Sequence, residues 1–532
     1  MDLLLGIDVG TTNCKAVAYN ERGEPVASGK TATITHYKTD GTSYYDPMQI
    51  WEAVVGVIRQ TVTKLNGTDK IIAISVASMG EAGVPVDRDG TPLYQIITWF
   101  DSRSLPQSHE LAEKIGNERI FEITGLDNNP IFSVSKLMWI REHEPEVYAR
   151  IDKWLCISDY IYLKLSGVIA TDYSIASRTM ALDISTRDWS DEILDKSGLD
   201  RNLFPNLVAG GTVLGKVTRE AAETTGLSQD ALVIAGGHDH YCGSFASGIL
   251  LGHRVADSSG TAESIHGLLE PGVEPPKNFQ GFRIGRYLDP NHLYLVGGIV
   301  ASGVSVEWAM KQFNTVVNSN KTSKIDRQSV YDKVMRQVED VSPGAGGLLF
   351  LPHLRGGGAP YWDPYSRGAL IGMLSNHTAV YLMRAVIEGL CFEVRTIVEA
   401  MRGISGNPVE LLTVVGGGAR NKFWQQTKAD ITGIPVEVPD VDEATTLGAA
   451  LLAGIGAGVY RNMFEASQLT YRVKTVFEPS LKNKDLYHHL FQIYRKVYQN
   501  LKKLNSELYS FSQLYMNSSI KSSGKMSRAN WK

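Results

Sequence analysis

The residues best equipped for chemistry in this 532-residue chain gather near its midpoint, in Ala235-Gly236-Gly237-His238-Asp239-His240-Tyr241-Cys242-Gly243. The apolar run Ala231-Leu232-Val233-Ile234 reads as a short buried strand. Two glycines are expected to stop it, permit a tight turn and leave room for a ligand beside the backbone. Asp239, at the strand end between two imidazoles, is well placed to accept a proton. That Asp239 only caps the next helix is the plainer alternative. An imidazolium beside it would weaken it as a base, so His238 and His240 are expected to be neutral at working pH.

A second chemistry lies at the front of the chain. Leu3 to Asp8 reads as a strand, and Gly10-Thr11-Thr12-Asn13 as a turn of glycine and hydrogen-bonding side chains. Gly10 allows close approach, backbone N–H groups can face an anion, and Thr11, Thr12 and Asn13 can donate to it. Asp8 could hold a hydrated magnesium ion. Ordinary hairpin-turn composition explains the same residues. Farther on, Ser258-Ser259-Gly260-Thr261 repeats the strand–turn–strand setting of Gly10-Thr11. Two copies of one meander suggest two related α/β domains with a nucleotide between them. Gly416-Gly417-Gly418-Ala419-Arg420-Asn421, between a strand and a helix, would let a base or ribose lie on bare backbone, or would simply permit tight packing. Gly23 to Gly29-Lys30-Thr31 imitates a phosphate loop, but its spacing is wrong and it falls within a strand pattern.

Glu81, Trp99, Asp101 and Arg103 follow two apparent strand ends, near Ile71–Val76 and Ile96–Trp99. A pocket at the carboxyl edge of an open sheet is expected there. A carboxylate with an aromatic ring suits a polyhydroxylated ligand. A surface ion pair between Asp101 and Arg103 is the alternative.

The elements that must position these groups are legible in outline. Asp46-Pro47 followed by Ile50, Trp51, Val54, Val55 and Ile58 predicts a capped helix. A helix within 130–140 is expected to turn Leu137 and Trp139 inward, and a long amphipathic helix is expected over 381–402. Ala444 to Ala450 is a run of small residues suited to close helix packing. Leu486, Leu490, Ile493, Val497 and Leu501 predict a last helix, and from about Ser506 a polar, loose tail is expected.

The totals narrow the class of protein. The length predicts two domains, and 43% hydrophobic with 21% charged residues is a globular composition. A net charge of -4 gives no sign of nucleic-acid binding. Four dispersed cysteines argue against a disulfide framework or zinc site and for a reducing compartment. With no run of membrane-spanning length and no signal-peptide pattern at Met1–Gly6, a cytoplasmic protein without membrane partners is expected.

Taken together, Asp8-Val9-Gly10-Thr11-Thr12, Lys136-Leu137-Met138-Trp139, Gly236-Gly237-His238-Asp239, Ser259-Gly260-Thr261, and Gly416 to Asn421 with Ala444 to Ala450 resemble the FGGY carbohydrate kinases of the actin-like ATPase superfamily. The order and spacing hold over about residues 1–500. The resemblance implies an α/β fold of two ribonuclease-H-like domains about an interdomain cleft: a sugar-binding domain over 1–246 and a nucleotide-binding domain over 247–505, followed by the polar tail 506–532. It implies ATP and Mg²⁺ as cofactors, a small sugar as substrate, and Asp239 as the base that takes the proton from the sugar hydroxyl. Asp8 would sit near Mg²⁺ through water. Thr12 and the Gly260-Thr261 pair would contact phosphates, with Gly303, Glu307, Gly417, Gly418 and Asn421 near the nucleotide. Glu81 matches a substrate-contacting glutamate of glycerol kinases, and His240 a polar residue next to the base.

The sequence also departs from better-known members. Glycerol kinases carry arginine and tyrosine where Gly80 and Ile131 stand here, which disfavours glycerol. Xylulose kinases have asparagine and histidine where His240 and Gly80 stand. The expectation is therefore ATP-dependent phosphorylation of a ketose, aldose or polyol, with a pentulose specifically as the alternative. A catalytically idle sugar sensor is the reading from another class, and a homodimer is left open beside a monomer. An actin-like or heat-shock-type ATPase would need a partner-binding module that the tail is too short to supply.

Overall fold

In the computed structural model of the chain, backbone is described for residues 1–317 and 327–522. The first sheet has six strands in the order Val213–Lys216, Leu232–His238, Lys70–Ser78, Asp2–Val9, Asn13–Tyr19 and Pro25–Ala32. Asp2–Val9 runs parallel to Lys70–Ser78, which runs parallel to Leu232–His238. Register brings Val9 opposite Ser78 and Ser78 opposite His238. Three parallel strands therefore end at one level, and each is followed at once by candidate site residues.

The second sheet repeats this plan. Its seven strands run Arg283–Arg286, Leu293–Ile299, Glu263–Leu268, Arg254–Ser259, Leu411–Val415, Val436–Pro439 and Val473–Phe477. In both sheets the first strand of the motif has a hairpin partner on one side and a parallel strand on the other. A third strand extends the hairpin, and another parallel strand extends the opposite edge. The two Gly-Thr turns thus occupy equivalent places in two copies of one topology, as the short sequence repeat suggests.

Local chemistry explains most boundaries. Asp46 accepts from the N–H groups of Met48 and Gln49, and Pro47 opens the helix Pro47–Val62. The long amphipathic helix runs Ala379–Ser405 and buries Val386, Leu390 and Val394 in the second core. The small-residue helix Ala444–Gly456 belongs to the second half of the chain yet packs on four strands of the first sheet. A Cβ at Gly6 would stand 1.8 Å from the Thr446 carbonyl oxygen, and one at Gly448 would stand 1.9 Å from that of Cys242. Only bare backbone permits this approach. Leu447, Leu451 and Ala453 then join Leu4, Ile234 and Tyr241 in one apolar cluster that ties the halves together.

Four expectations are corrected. Strand Leu232–His238 runs through Gly236 and Gly237 with only a register shift, and no turn forms there. The glycines serve contact instead, since a Cβ at Gly236 would lie 2.1 Å from the Val76 carbonyl oxygen. Ile96–Ile97 belongs not to the main sheet but to a separate five-stranded sheet. Trp139 is half-buried rather than inward, stacked on His143. Finally, the segment from 506 is not loose as far as it is described: the last helix continues over Lys484–Ser522. Tyr509 contacts Tyr365, and Arg367 donates to Ser512 Oγ at 2.7 Å. Residues 523–532 of that expectation lie outside the described residues.

Candidate active site

The three level strand ends form one wall of a cavity of about 360 Å³ whose opposite wall comes from the second half of the chain. Thr11, Gly80, Glu81, Trp99, Asp239 and His240 line it from one side, and Glu263, Ser264, Gly298 and Trp362 from the other. Such a volume suits a small molecule.

Asp239 opens the helix Asp239–Ala246 directly after its strand. Its Oδ1 lies 2.7 Å from His238 Nδ1, which can donate to it, and accepts the His240 backbone N–H at 2.6 Å. Burial pushes this carboxyl up, but the His238 and His240 rings and these hydrogen bonds outweigh it and hold Asp239 well below the usual range. Asp239 is thus ionised at neutral pH, with its lone pairs directed by fixed donors. Asp239 stands at the first position inside the helix, after His238, so it does not occupy the capping position.

Asp8 lies on the neighbouring strand. Burial first, and then the Asp239 charge, push its carboxyl up to about 8. Among the described residues, its Oδ1 is buried without a hydrogen-bond partner. An orphaned carboxylate oxygen beside a phosphate-type turn fits a cation, which supplies the missing partner. The turn itself is closed by the Gly10 N–H donating to Asn13 O at 3.0 Å, Thr12 is exposed, and Trp99 Nε1 donates to Thr11 Oγ1 at 3.0 Å. At the repeat, the Gly260 N–H donates to Ala262 O at 2.9 Å and leaves Gly260 and Thr261 exposed.

Glu81 has a left-handed backbone, φ 61°, and its carboxylate accepts Arg178 Nε at 2.6 Å. Burial opposes ionisation of Glu81, but the Arg178 charge and hydrogen bond overcome it and hold its carboxyl low. Lys136 fixes this corner by donating from Nζ to the carbonyls of Glu81 (2.8 Å) and Thr98 (2.9 Å). Gly80 is needed because a Cβ there would come within 2.8 Å of the His238 ring.

Several predicted residues stand elsewhere. Asp101 and Arg103 do not line the cavity, and they are not a surface pair either. Arg103 donates from Nε and Nη2 to both Asp101 oxygens at 2.9 Å, Asp101 also accepts the Ser43 N–H, and both side chains are buried. Asp101 is therefore spent on fastening the small sheet. Glu307 is exposed on its helix, paired with Lys311 at 3.0 Å, and lies outside the cavity lining. Gly303 packs against the repeat turn, its N–H donating to Gly260 O at 3.1 Å. Of the triglycine, Gly418 presses on Ser259 while Gly417 faces open space. Gly417 and Asn421 line a second cavity of about 620 Å³ with Tyr331, Arg336 and Phe423.

Sequence reasoning missed three groups. Arg178 follows the polar stretch Ala176-Ser177 and carries no local signal of a binding role. His266 sits on the strand Glu263–Leu268, buried against the His240 ring, and among the described residues both its ring nitrogens are unpartnered. The third is a buried charge cluster behind the cavity wall: Lys428 Nζ donates to Asp257 Oδ2 and, at 2.6 Å, to Glu263 Oε1, while Ser302 Oγ donates to Glu263 Oε2 at 2.6 Å.

Two repeated α/β sheets facing each other across a cleft, with an ionised aspartate at a strand end and a glycine–threonine turn from each half, define a phosphotransferase-like two-domain protein. Family comparison agrees: the N-terminal domain of the FGGY family of carbohydrate kinases matches residues 3–246 and its C-terminal domain matches 266–457. The chain is 30% identical over 516 residues to the xylulose kinase of Bacillus subtilis, covering 96% of this chain and 99% of that protein. Among solved structures, the ligand-bound xylulose kinase of Lactobacillus acidophilus superposes with TM-score 0.84 at 26% identity, over 96% of this chain and 100% of the other. The gluconate kinase of the same organism superposes with TM-score 0.83 at 26% identity, over 94% and 98%. The chain belongs to the FGGY family of carbohydrate kinases, which phosphorylate sugars at the expense of ATP.

Proposed function

We propose that this kinase phosphorylates a hydroxyl of a small, uncharged sugar, a ketose, aldose or polyol, with Asp239 as the base and the sugar held in the cavity of about 360 Å³. The observation that carries the reading is Asp239 itself, ionised and aimed by two donors in a cavity walled by both halves. Phosphoryl transfer asks mainly for position and charge neutralisation. A carboxylate held below its usual range is a weak base, but it suffices to orient the attacking hydroxyl and take its proton late.

Charge in the cavity favours an uncharged substrate. Two guanidinium groups line it, and both are spent: Arg178 on Glu81, and Arg283 on Asp127 through Nε at 2.5 Å and Nη2 at 3.1 Å. A sugar acid would have to break one of these pairs to gain a partner. Trp99 and Trp362 offer faces for stacking, and Glu81 and His240 offer polar contacts. The similarity to xylulose kinases makes a pentulose the first sugar to try.

Asp8 would hold a hydrated Mg²⁺, which neutralises phosphate charge when bound. Thr11, Thr12 and the exposed Gly260-Thr261 turn would meet the phosphates. The second cavity, with Gly417 and Asn421, would take the nucleoside. The four cysteines are buried and unpaired, which suits the cytoplasm, where ATP is at hand.

The test is a coupled ADP-release assay with ATP, Mg²⁺ and a panel of ketoses, aldoses, polyols and sugar acids, run beside Asp239→Asn. Turnover with an uncharged sugar, lost by 10²-fold or more in the variant, is expected. Turnover with a sugar acid alone would overturn the charge argument. ATP binding with silence across the panel would favour the idle sensor.

A further inference from the structure

The charge cluster behind the cavity wall stands directly under the second glycine–threonine turn. In the hairpin of strands Arg254–Ser259 and Glu263–Leu268, register sets Ser259 opposite Glu263 and Asp257 opposite Ile265. Asp257 and Glu263 therefore share one face, one on each strand, and Gly260 and Thr261 stand exposed at the tip between them. Lys428 Nζ donates to Asp257 Oδ2 and, at 2.6 Å, to Glu263 Oε1. One ammonium thus clamps both strands from beneath, and all three side chains are fully buried.

The tip is held from a second direction. Helix Ser302–Val317 begins against it, with the Gly303 N–H donating to Gly260 O at 3.1 Å and the Val304 N–H to Thr261 O at 3.3 Å. The free N–H groups of a first helical turn are thereby spent on the two tip carbonyls. Ser302 Oγ, donating to Glu263 Oε2 at 2.6 Å, joins this helix to the cluster. Lys428 also belongs to the side of the second cavity. It lies on helix Lys422–Thr432, whose cap, Asn421, lines that cavity. On the same helix Gln425 Nε2 donates to Gly418 O at 2.9 Å and holds the triglycine segment. The lysine is the joint between the element that faces the second cavity and the hairpin that carries the turn.

We propose that Lys428 is a positioning residue for ATP: its clamp sets the turn Gly260-Thr261 at a fixed distance from the second cavity, so that a bound triphosphate reaches the turn only while the clamp is closed. The proposal rests on the reading that the second cavity takes the nucleoside and the turn meets the phosphates. For stability alone the cluster has no advantage, since well-packed apolar side chains of similar volume do as well as a buried ion pair or better. What the ions add is direction, because they tie two strands and two helices to one nitrogen atom.

Equilibrium dialysis of the full-length protein without sugar gives the Kd of MgATP and of adenosine, which carries no phosphate. Lys428→Met/Asp257→Asn/Glu263→Gln removes the buried charges together and opens the clamp. It is expected to weaken MgATP by about tenfold or more and adenosine by less than about twofold. Gly303→Ala leaves the cluster intact but puts a Cβ 2.6 Å from the Gly260 carbonyl oxygen, and the displaced tip should show the same selective loss. Should the triple variant fail to fold, Asp257→Ala opens one jaw while Lys428 keeps Glu263. It should lose MgATP affinity, and Asp257→Asn, which keeps an acceptor for Lys428, should restore it to within about threefold of wild type. Equal weakening of MgATP and adenosine would make the cluster merely structural and overturn the proposal, as would unaltered MgATP affinity in the clamp variants. A wild type that binds adenosine as tightly as MgATP would instead overturn the phosphate reading of the turn, and the proposal with it.

Discussion

Lys428 is the side chain whose removal the structure prices most clearly. It is fully buried, with Asp257 and Glu263 as its two partners, also fully buried. Desolvation of the ammonium is outweighed by the two carboxylates, so Lys428 is held charged well above its usual range. Lys428→Met keeps the volume and removes the charge, leaving two carboxylates with only the Ser302 hydroxyl between them and the core. Breaking a buried pair from one side costs about 3–5 kcal/mol. A domain of some 150–250 residues loses roughly 2 °C or more of Tm per kcal/mol, so a fall of about 6–10 °C is expected in the transition that melts the second sheet.

The pH dependence gives a sharper test. In the wild type the stabilisation by Lys428 is complete below its unfolded value of 10.5 and is lost only as pH rises through the higher folded value, so it is flat from pH 5 to 8. In the variant the orphaned carboxylates have folded values raised by burial. They titrate more readily in the unfolded chain, and stability is lost as pH rises above the ordinary carboxylate range. The Tm gap between wild type and Lys428→Met must therefore widen from pH 5 to pH 8. Scanning calorimetry at the two pH values measures it, and Lys428→Met/Asp257→Asn/Glu263→Gln should recover most of the loss. A gap below about 2 °C, or one that narrows with pH, would refute the argument that Lys428 neutralises this buried carboxylate pair.

Three further outcomes follow from the geometry. Gly6→Ala puts a Cβ against the Thr446 carbonyl and should lift the small-residue helix off the first sheet, lowering Tm by more than an ordinary overpacking change of about 1–3 kcal/mol; an unchanged Tm would mean that this helix does not dock as described. Gly418→Ala meets Ser259 at 2.3 Å and should lower Tm, whereas Gly417→Ala enters open space and should leave Tm unchanged while weakening nucleotide binding in a fluorescent-ATP titration. Burial lowers Lys136 to about 7 against 10.5 unfolded, so between these values the unfolded chain binds the extra proton and wild-type stability rises with pH. Against Lys136→Met, urea unfolding should show the wild type gaining up to roughly 1.4 kcal/mol per pH unit from 7 to 9; a flat difference would mean Lys136 stays protonated.

What could be read from the sequence is what each segment says about itself. Asp8 with Gly10-Thr11, and Asp239 after its apolar run, are strand-end signals contained in ten residues, and the echo at Gly260-Thr261 was enough to anticipate two sheets of one topology. The same locality explains the errors. Asp101 and Arg103 are two residues apart whether they face a cavity or clamp the Ser43 backbone, and nothing in that spacing tells which. Gly236 and Gly237 announce bare backbone, but not whether it is used to turn or, as here, to pass close to Val76.

The missed groups share a cause. Arg178 meets Glu81 across 97 positions, and Lys428 meets Asp257 and Glu263 across 171 and 165. A lysine in an amphipathic helix looks solvent-facing until the sheet that buries it is in place. His266 is the extreme case: a lone histidine in a strand, buried against the His240 and Tyr241 rings contributed by the other half. Residues placed by one segment are legible, and residues defined by the meeting of two segments are not. The cleft is made by such meetings, so the reaction class could be inferred from sequence while the pocket that selects the sugar required the fold.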